Sequence, residues 1–202
     1  MIPLAFLRKM DTYELSFGDA TVKVNVIDHP SILEEKLSEF KCMLRKRVVG
    51  VGFESKCAWV GSVCYPRWLL LCGGSRFLMI DLKKSSCSDS LRKFLTDETI
   101  CFVGLSQKVA DDMMKLEHIN CKSFVEVGYL AARVLKKSSI QSYGLENLGA
   151  EVGIDVKPKP VSCTQFDDWA EIAMFLSKEQ IKCVIHDVYY SFIIGHELLG
   201  ML

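Results

Sequence analysis

The feature that most constrains this chain is a succession of short apolar runs, each too short for an ordinary helix. Residues 47–53 read Arg-Val-Val-Gly-Val-Gly-Phe and end at Glu54, and residues 68–72 and 77–82 follow, with Gly73-Gly74 between them. β-Branched and aromatic runs of this length read as strands, and a glycine pair between two of them reads as a hairpin turn. Three strands in succession predict a meander. Ahead of them, Val22, Val24 and Val26 alternate with Lys23 and Asn25, the period of a half-buried strand over residues 21–27, expected at an edge.

From Pro30 the period lengthens. Ile32, Leu33, Leu37 and Phe40 recur at helical spacing behind His29-Pro30-Ser31, with Glu34, Glu35 and Lys36 outward. Further helical patterns cover residues 91–95, 109–116, 125–135, 145–152 and about 178–199, and residues 100–105 form a short buried strand. Lys157-Pro158-Lys159-Pro160 sets a loop before the last helix, because proline breaks the helical ladder and restrains the residue before it. Strands first, then alternating α and β elements, predict a layered α/β domain. The 202 residues, half of them apolar, suffice for one sizeable core, so a leader over 1–19 and a single domain over 20–202 are expected.

Composition narrows the partners. Twenty-five basic residues balance 25 acidic ones, which argues against a dedicated, strongly basic nucleic-acid binder and leaves phosphate contact to patches such as Arg45-Lys46-Arg47. No run approaches the roughly 18 to 20 apolar residues of a membrane span, so no membrane partner is expected. Nine cysteines carry no Cys-x-x-Cys pair and sit mostly inside apolar runs. They read as reduced thiols packed as small hydrophobes in a cytoplasmic or nuclear protein.

Three carboxylates stand out. Glu54 ends an apolar strand, Asp112 opens a helix after the 100–105 strand, and Asp187 lies in the last helix among Val184, Ile185, Val188, Phe192 and Ile193. An ionised carboxylate in such company needs a cation or hydrogen-bond partners. Converging carboxylates are the donors that hard divalent ions take, and two such ions about 3.5 to 4 Å apart activate water and stabilise the leaving oxygen in phosphodiester hydrolysis. Taken singly, each of the three reads first as a solvated or capping acid.

Their setting resembles a known family. Residues 47–54 are similar to the first motif of the DEDD (DnaQ-like, RNase D-like) 3'-5' exonucleases, in which a strand ends in aspartate, one residue, then glutamate. Phe102-Val103-Gly104 with Asp112 and Lys115-Leu116 looks like the second motif, and residues 180–192 around His186-Asp187-Val188 look like the third. Tyr143-Gly144-Leu145-Glu146-Asn147-Leu148 and the lysine-proline loop follow the pattern of the small plant Werner-like exonuclease proteins. The resemblance runs from about residue 20 to the end. It implies an RNase H-like fold with a mixed central sheet flanked by helices, and Mg2+ or Mn2+ held by Glu54, Asp112 and Asp187 as catalytic and metal-binding residues. It also implies single-stranded RNA or DNA as ligand, and assembly into homo-oligomers or with related exonuclease subunits.

The departures from that pattern are specific. The family's first aspartate, which bridges both ions, falls on Gly52, which has no side chain to offer. The tyrosine that serves one branch as general base falls on Cys183, and the histidine of the other branch on Lys182. His186 is adjacent to Asp187, so on a helix it points about 100° away and is not expected to substitute. Asp111 remains the alternative to Asp112. Three functions stay open: a weak exonuclease, a pseudo-exonuclease that binds strands or partners without cutting, and an interaction domain whose apolar C-terminal helix contacts another subunit.

Overall fold

The computed structural model describes residues 12–44, 46–55, 66–82, 88–115, 119–160 and 178–202. Trp59, Tyr65, Arg45 and residues 1–11 of the expected leader lie outside them. Seven strands form one mixed sheet: β1 (Thr12–Phe17), β2 (Ala20–Ile27), β3 (Val48–Ser55), β4 (Pro66–Gly73), β5 (Arg76–Asp81), β6 (Cys101–Gly104) and β7 (Phe124–Glu126), in the spatial order β1-β2-β5-β4-β3-β6-β7. The expected meander is β3-β4-β5, antiparallel throughout, and its tight turn is reached because Gly74 takes φ +62°. β6 and β7 then add in parallel beside β3.

Among the described residues six α-helices cover the sheet: α1 (Pro30–Met43), α2 (Asp89–Leu95), α3 (Lys108–Lys115), α4 (Val127–Val134), α5 (Leu145–Glu151) and α6 (Lys178–Gly200). Helix α1 begins where expected, with Pro30 in its first turn and the His29 ring accepting from the Ser31 amide. Side chains along a strand alternate faces, and here both faces are covered. Val49, Val51, Leu69, Leu71, Leu78 and Ile80 pack with α1 and α2; Val48, Leu70, Cys72, Phe77 and Met79 pack with α4, α5 and α6.

Two expectations change. β2 is not an edge strand, because β1, formed within residues 1–19, pairs antiparallel with it along Thr12 to Phe17. The helix expected over 125–135 begins only at Val127, since Phe124–Glu126 first pairs in parallel with β6. At the apolar end of α6, Ile194 and Leu198 are fully buried, Ile193 and Leu199 are partly buried, and Met201 and Leu202 are exposed. Cys42, Cys72, Cys101 and Cys121 are free thiols as expected, whereas Cys183 is disulfide-bonded, its partner lying outside the described residues. Among the described residues no helix is long and apolar enough to cross a membrane.

Candidate active site

Helix α6 lies against β3 because two glycines let it. Gly50 and Gly52 share the strand face turned to the helix, and a Cβ on Gly50 would stand 2.7 Å from Phe192 Cβ and 2.8 Å from the Val188 carbonyl oxygen. A Cβ on Gly52 would stand 2.4 Å from Val188 Cγ2. Two residues further along the same face is Glu54, near the carboxyl end of β3 and beside the end of its parallel neighbour β6. The carboxyl ends of parallel strands are where open α/β sheets form ligand clefts.

A cleft of about 140 Å³ opens there, and Glu54, Asp112 and Asp187 all line it, together with Gly52, Lys108, Lys159, Val188 and Ser191. Each acid comes from a different element: Glu54 from β3, Asp112 from α3, Asp187 from α6. On α3, Asp112 is buried and faces the cleft, while its neighbour Asp111 is exposed and does not line it. Ser191, one turn beyond Asp187, brings a fully buried hydroxyl with no hydrogen-bond partner to the same cleft.

Each oxygen of the Asp187 carboxylate has a polar contact. Lys159 Nζ donates to Oδ2 at 2.8 Å, and His186 Nδ1 lies 2.9 Å from Oδ1. His186 is buried, and its Nε2 lies 2.7 Å from the carbonyl oxygen of Lys157. His186 does not itself line the cleft; its ring leaves the helix in another direction and turns back far enough to touch the carboxylate of its neighbour. A carbonyl and an ionised carboxylate only accept, so both contacts are hydrogen bonds at once when both ring nitrogens carry hydrogen. The amide of Lys157 also donates to the hydroxyl of buried Tyr190, at 3.0 Å.

Electrostatics follow from this arrangement. Burial pushes the Asp187 carboxyl up, but the hydrogen bonds from His186 and Lys159 and their charges outweigh it and hold the group below its ordinary value. Glu54 stands exposed at the mouth, yet the dense surroundings of its carboxyl raise it. The Lys159 and Lys108 charges oppose that rise and the Asp187 charge adds to it.

Cys183 and Lys182, at the places where the resemblance puts a general base, do not line the cleft. Cys183 is buried, and Lys182 Nζ sits 5.6 Å from the centre of the Phe17 ring. The aromatic candidates for base stacking are also core: Trp68, Tyr189 and Tyr190 are buried, the latter two against Phe17. Lys159, Lys108 and Ser191 belong to the cleft without having been singled out in the sequence. For Lys159 the available signal was a lysine held between two prolines.

These residues do not fit a two-ion centre. Gly52 stands where the resemblance puts a bridging carboxylate, a Val188 methyl fills the space where a side chain there would start, and each oxygen of Asp187 already has one partner. Among the described residues no three Asp, Glu, His or Cys side chains converge closely enough to hold a metal ion.

No family model matches the sequence, and no curated protein matches it. Solved structures do match. Escherichia coli RNase D, described as an exoribonuclease involved in structured RNA processing, is similar with a TM-score of 0.66 and 16% identity over 88% of this chain, which spans only 44% of that one. The EXO domain of Aedes aegypti Nibbler is similar with a TM-score of 0.60 and 16% identity, covering 94% of this chain and 88% of that one. The EXD2 exonuclease domain soaked in Mn is similar with a TM-score of 0.51 and 19% identity, over 88% of this chain and 89% of that one. With its mixed sheet, the β3-β4-β5 meander and the parallel pair that follows, the chain has the RNase H-like fold of exonuclease domains.

Proposed function

We propose that this chain is a member of the DEDD exonuclease family whose cleft binds the 3' end of single-stranded nucleic acid and has lost efficient hydrolysis. The observation that carries the reading is at Gly52, where the family's bridging aspartate is missing and Val188 Cγ2 takes up the space its side chain would need. Hydrolysis by this fold relies on charge stabilisation at the scissile phosphate, and loss of even one stabilising group commonly lowers rates by about 10²–10³. Losing the main metal anchor removes ion placement and charge together. Strand binding asks less. The fold supplies the cleft, and Lys108 and Lys159 line it with positive charge.

The test uses single strands labelled at the 3' or the 5' end, with Mg2+ or Mn2+, and compares the wild type with Asp187→Ala. The expected result is strand binding without shortening in both. Shortening from the 3' end by the wild type, abolished by Asp187→Ala, would establish the runner-up reading of a working exonuclease. That alternative draws on the meeting of Glu54, Asp112 and Asp187 in one cleft. Absence of both binding and cutting would leave an interaction domain.

A further inference from the structure

We infer that Lys159 is the resident cation of this cleft, its ammonium holding the place on Asp187 that a divalent ion would take. This rests on the family reading above and concerns the same site. Three features distinguish Lys159 from an incidental surface lysine. Its Nζ donates to Asp187 Oδ2 at 2.8 Å, within a cleft that Glu54 also lines. The chain two residues upstream is pinned through both backbone polar groups of Lys157: its amide donates to the Tyr190 hydroxyl, and its carbonyl faces His186 Nε2 at 2.7 Å. Both clamping side chains project from α6 and are buried, 3% exposed for Tyr190 and 6% for His186.

Pro158 and Pro160 flank the lysine and restrict the backbone on either side of it. One helix thus supplies the carboxylate and the two groups that fix the loop carrying its counter-charge. His186 does both jobs, since its other nitrogen meets Asp187 Oδ1 at 2.9 Å. A divalent ion approaching Asp187 would have to displace the ammonium or sit beside it, and like charges at such range repel strongly away from bulk water. The cleft is charge-compensated by the chain itself, so it should be occupied by cationic charge at all times and indifferent to divalent ions.

The experiment is a Mn2+ titration of the free protein followed by electron paramagnetic resonance, with no nucleic acid present. The wild type and Lys159→Arg, which keeps the charge, should take up no specific Mn2+ at millimolar concentration. Lys159→Met, which keeps the length and loses the charge, should bind Mn2+ roughly tenfold tighter or more. Two carboxylates with water are a normal environment for such an ion. The double variant Lys159→Met with Asp187→Asn should lose that binding again. Lys159 is a loop residue with a side chain 43% exposed, so the substitution leaves the core alone, and Lys159→Gln serves as a second neutral variant. Wild-type protein that binds Mn2+ as tightly as Lys159→Met, or folded Met and Gln variants that both bind none, would overturn the inference. Neither outcome depends on strand binding or cleavage, so failure here is separable from failure of the proposed function.

Discussion

At the scale of single residues, the two acids at the mouth of the cleft should respond to pH in opposite directions. The Asp187 carboxyl is held below its ordinary value of 3.8 against the pull of burial, by hydrogen bonds and charge from His186 and Lys159. A depressed acid stabilises the fold above its unfolded value, and that contribution disappears as pH falls through the folded one. Asp187→Asn should therefore lower stability at neutral pH by about 1 kcal/mol after allowance for partial exposure, a drop of about 2–4 °C in Tm. The gap should close below pH 3.8. Glu54, though exposed, is raised above 4.5, chiefly because its dense surroundings desolvate the carboxyl, so its protonated form suits the fold and its ionised form strains it. Glu54→Gln should match the wild type below that value and become the more stable protein as pH rises past it; thermal melts across pH 3 to 8 read both curves. A wild type more stable than Glu54→Gln at pH 7 would contradict the assignment.

Much of this was legible residue by residue. Apolar neighbours marked Asp187 as an acid in need of partners, and its position after a strand marked Glu54. The partners were not legible: Lys159 is 28 positions from Asp187, and its approach depends on the clamp at Lys157, which no local pattern encodes.

At the scale of elements, the packing of α6 on β3 decides what the site can hold. Glycine at positions 50 and 52 admits the helix so closely that a Cβ at either would overlap existing atoms. Placing at position 52 the aspartate that the resemblance calls for, by Gly52→Asp alone, should fail, because Val188 is β-branched and stiff, and overpacking of this kind costs about 1–3 kcal/mol. Gly52→Asp combined with Val188→Ala should recover most of the lost stability, which a pair of thermal melts measures. If Gly52→Asp alone melts like the wild type, the helix has room that the structure does not indicate. The glycines were visible in the sequence as gaps in a strand of valines. Their purpose was not, because it lies in the facing helix. β7 was missed for a related reason: Phe124–Glu126 is three residues long and runs straight into the α4 pattern, so only its parallel partner β6 defines it as a strand. β1 sat in a stretch expected as leader, and pairing with β2 makes it part of the sheet.

At the scale of the whole molecule, frame and chemistry have separated on the proposed reading. The two core clusters on either face of the sheet, the meander and the parallel pair depend on apolar periodicity, which the chain keeps throughout. The cleft depends on a few individual residues at strand and helix ends, and on the proposed reading those are the ones that differ: a glycine where the resemblance puts a bridging acid, a cysteine where it puts the tyrosine, and an ammonium against the last aspartate. Substitutions at a cleft leave such a frame standing, since its stability comes from burial elsewhere. The most direct measurement is release of nucleoside monophosphate from a single-stranded substrate with Mn2+, comparing the wild type with the triple variant Gly52→Asp, Val188→Ala, Lys159→Met. A silent cleft on an intact frame predicts no release by the wild type and measurable release by the triple variant. Release by the wild type that Asp187→Ala abolishes would contradict it.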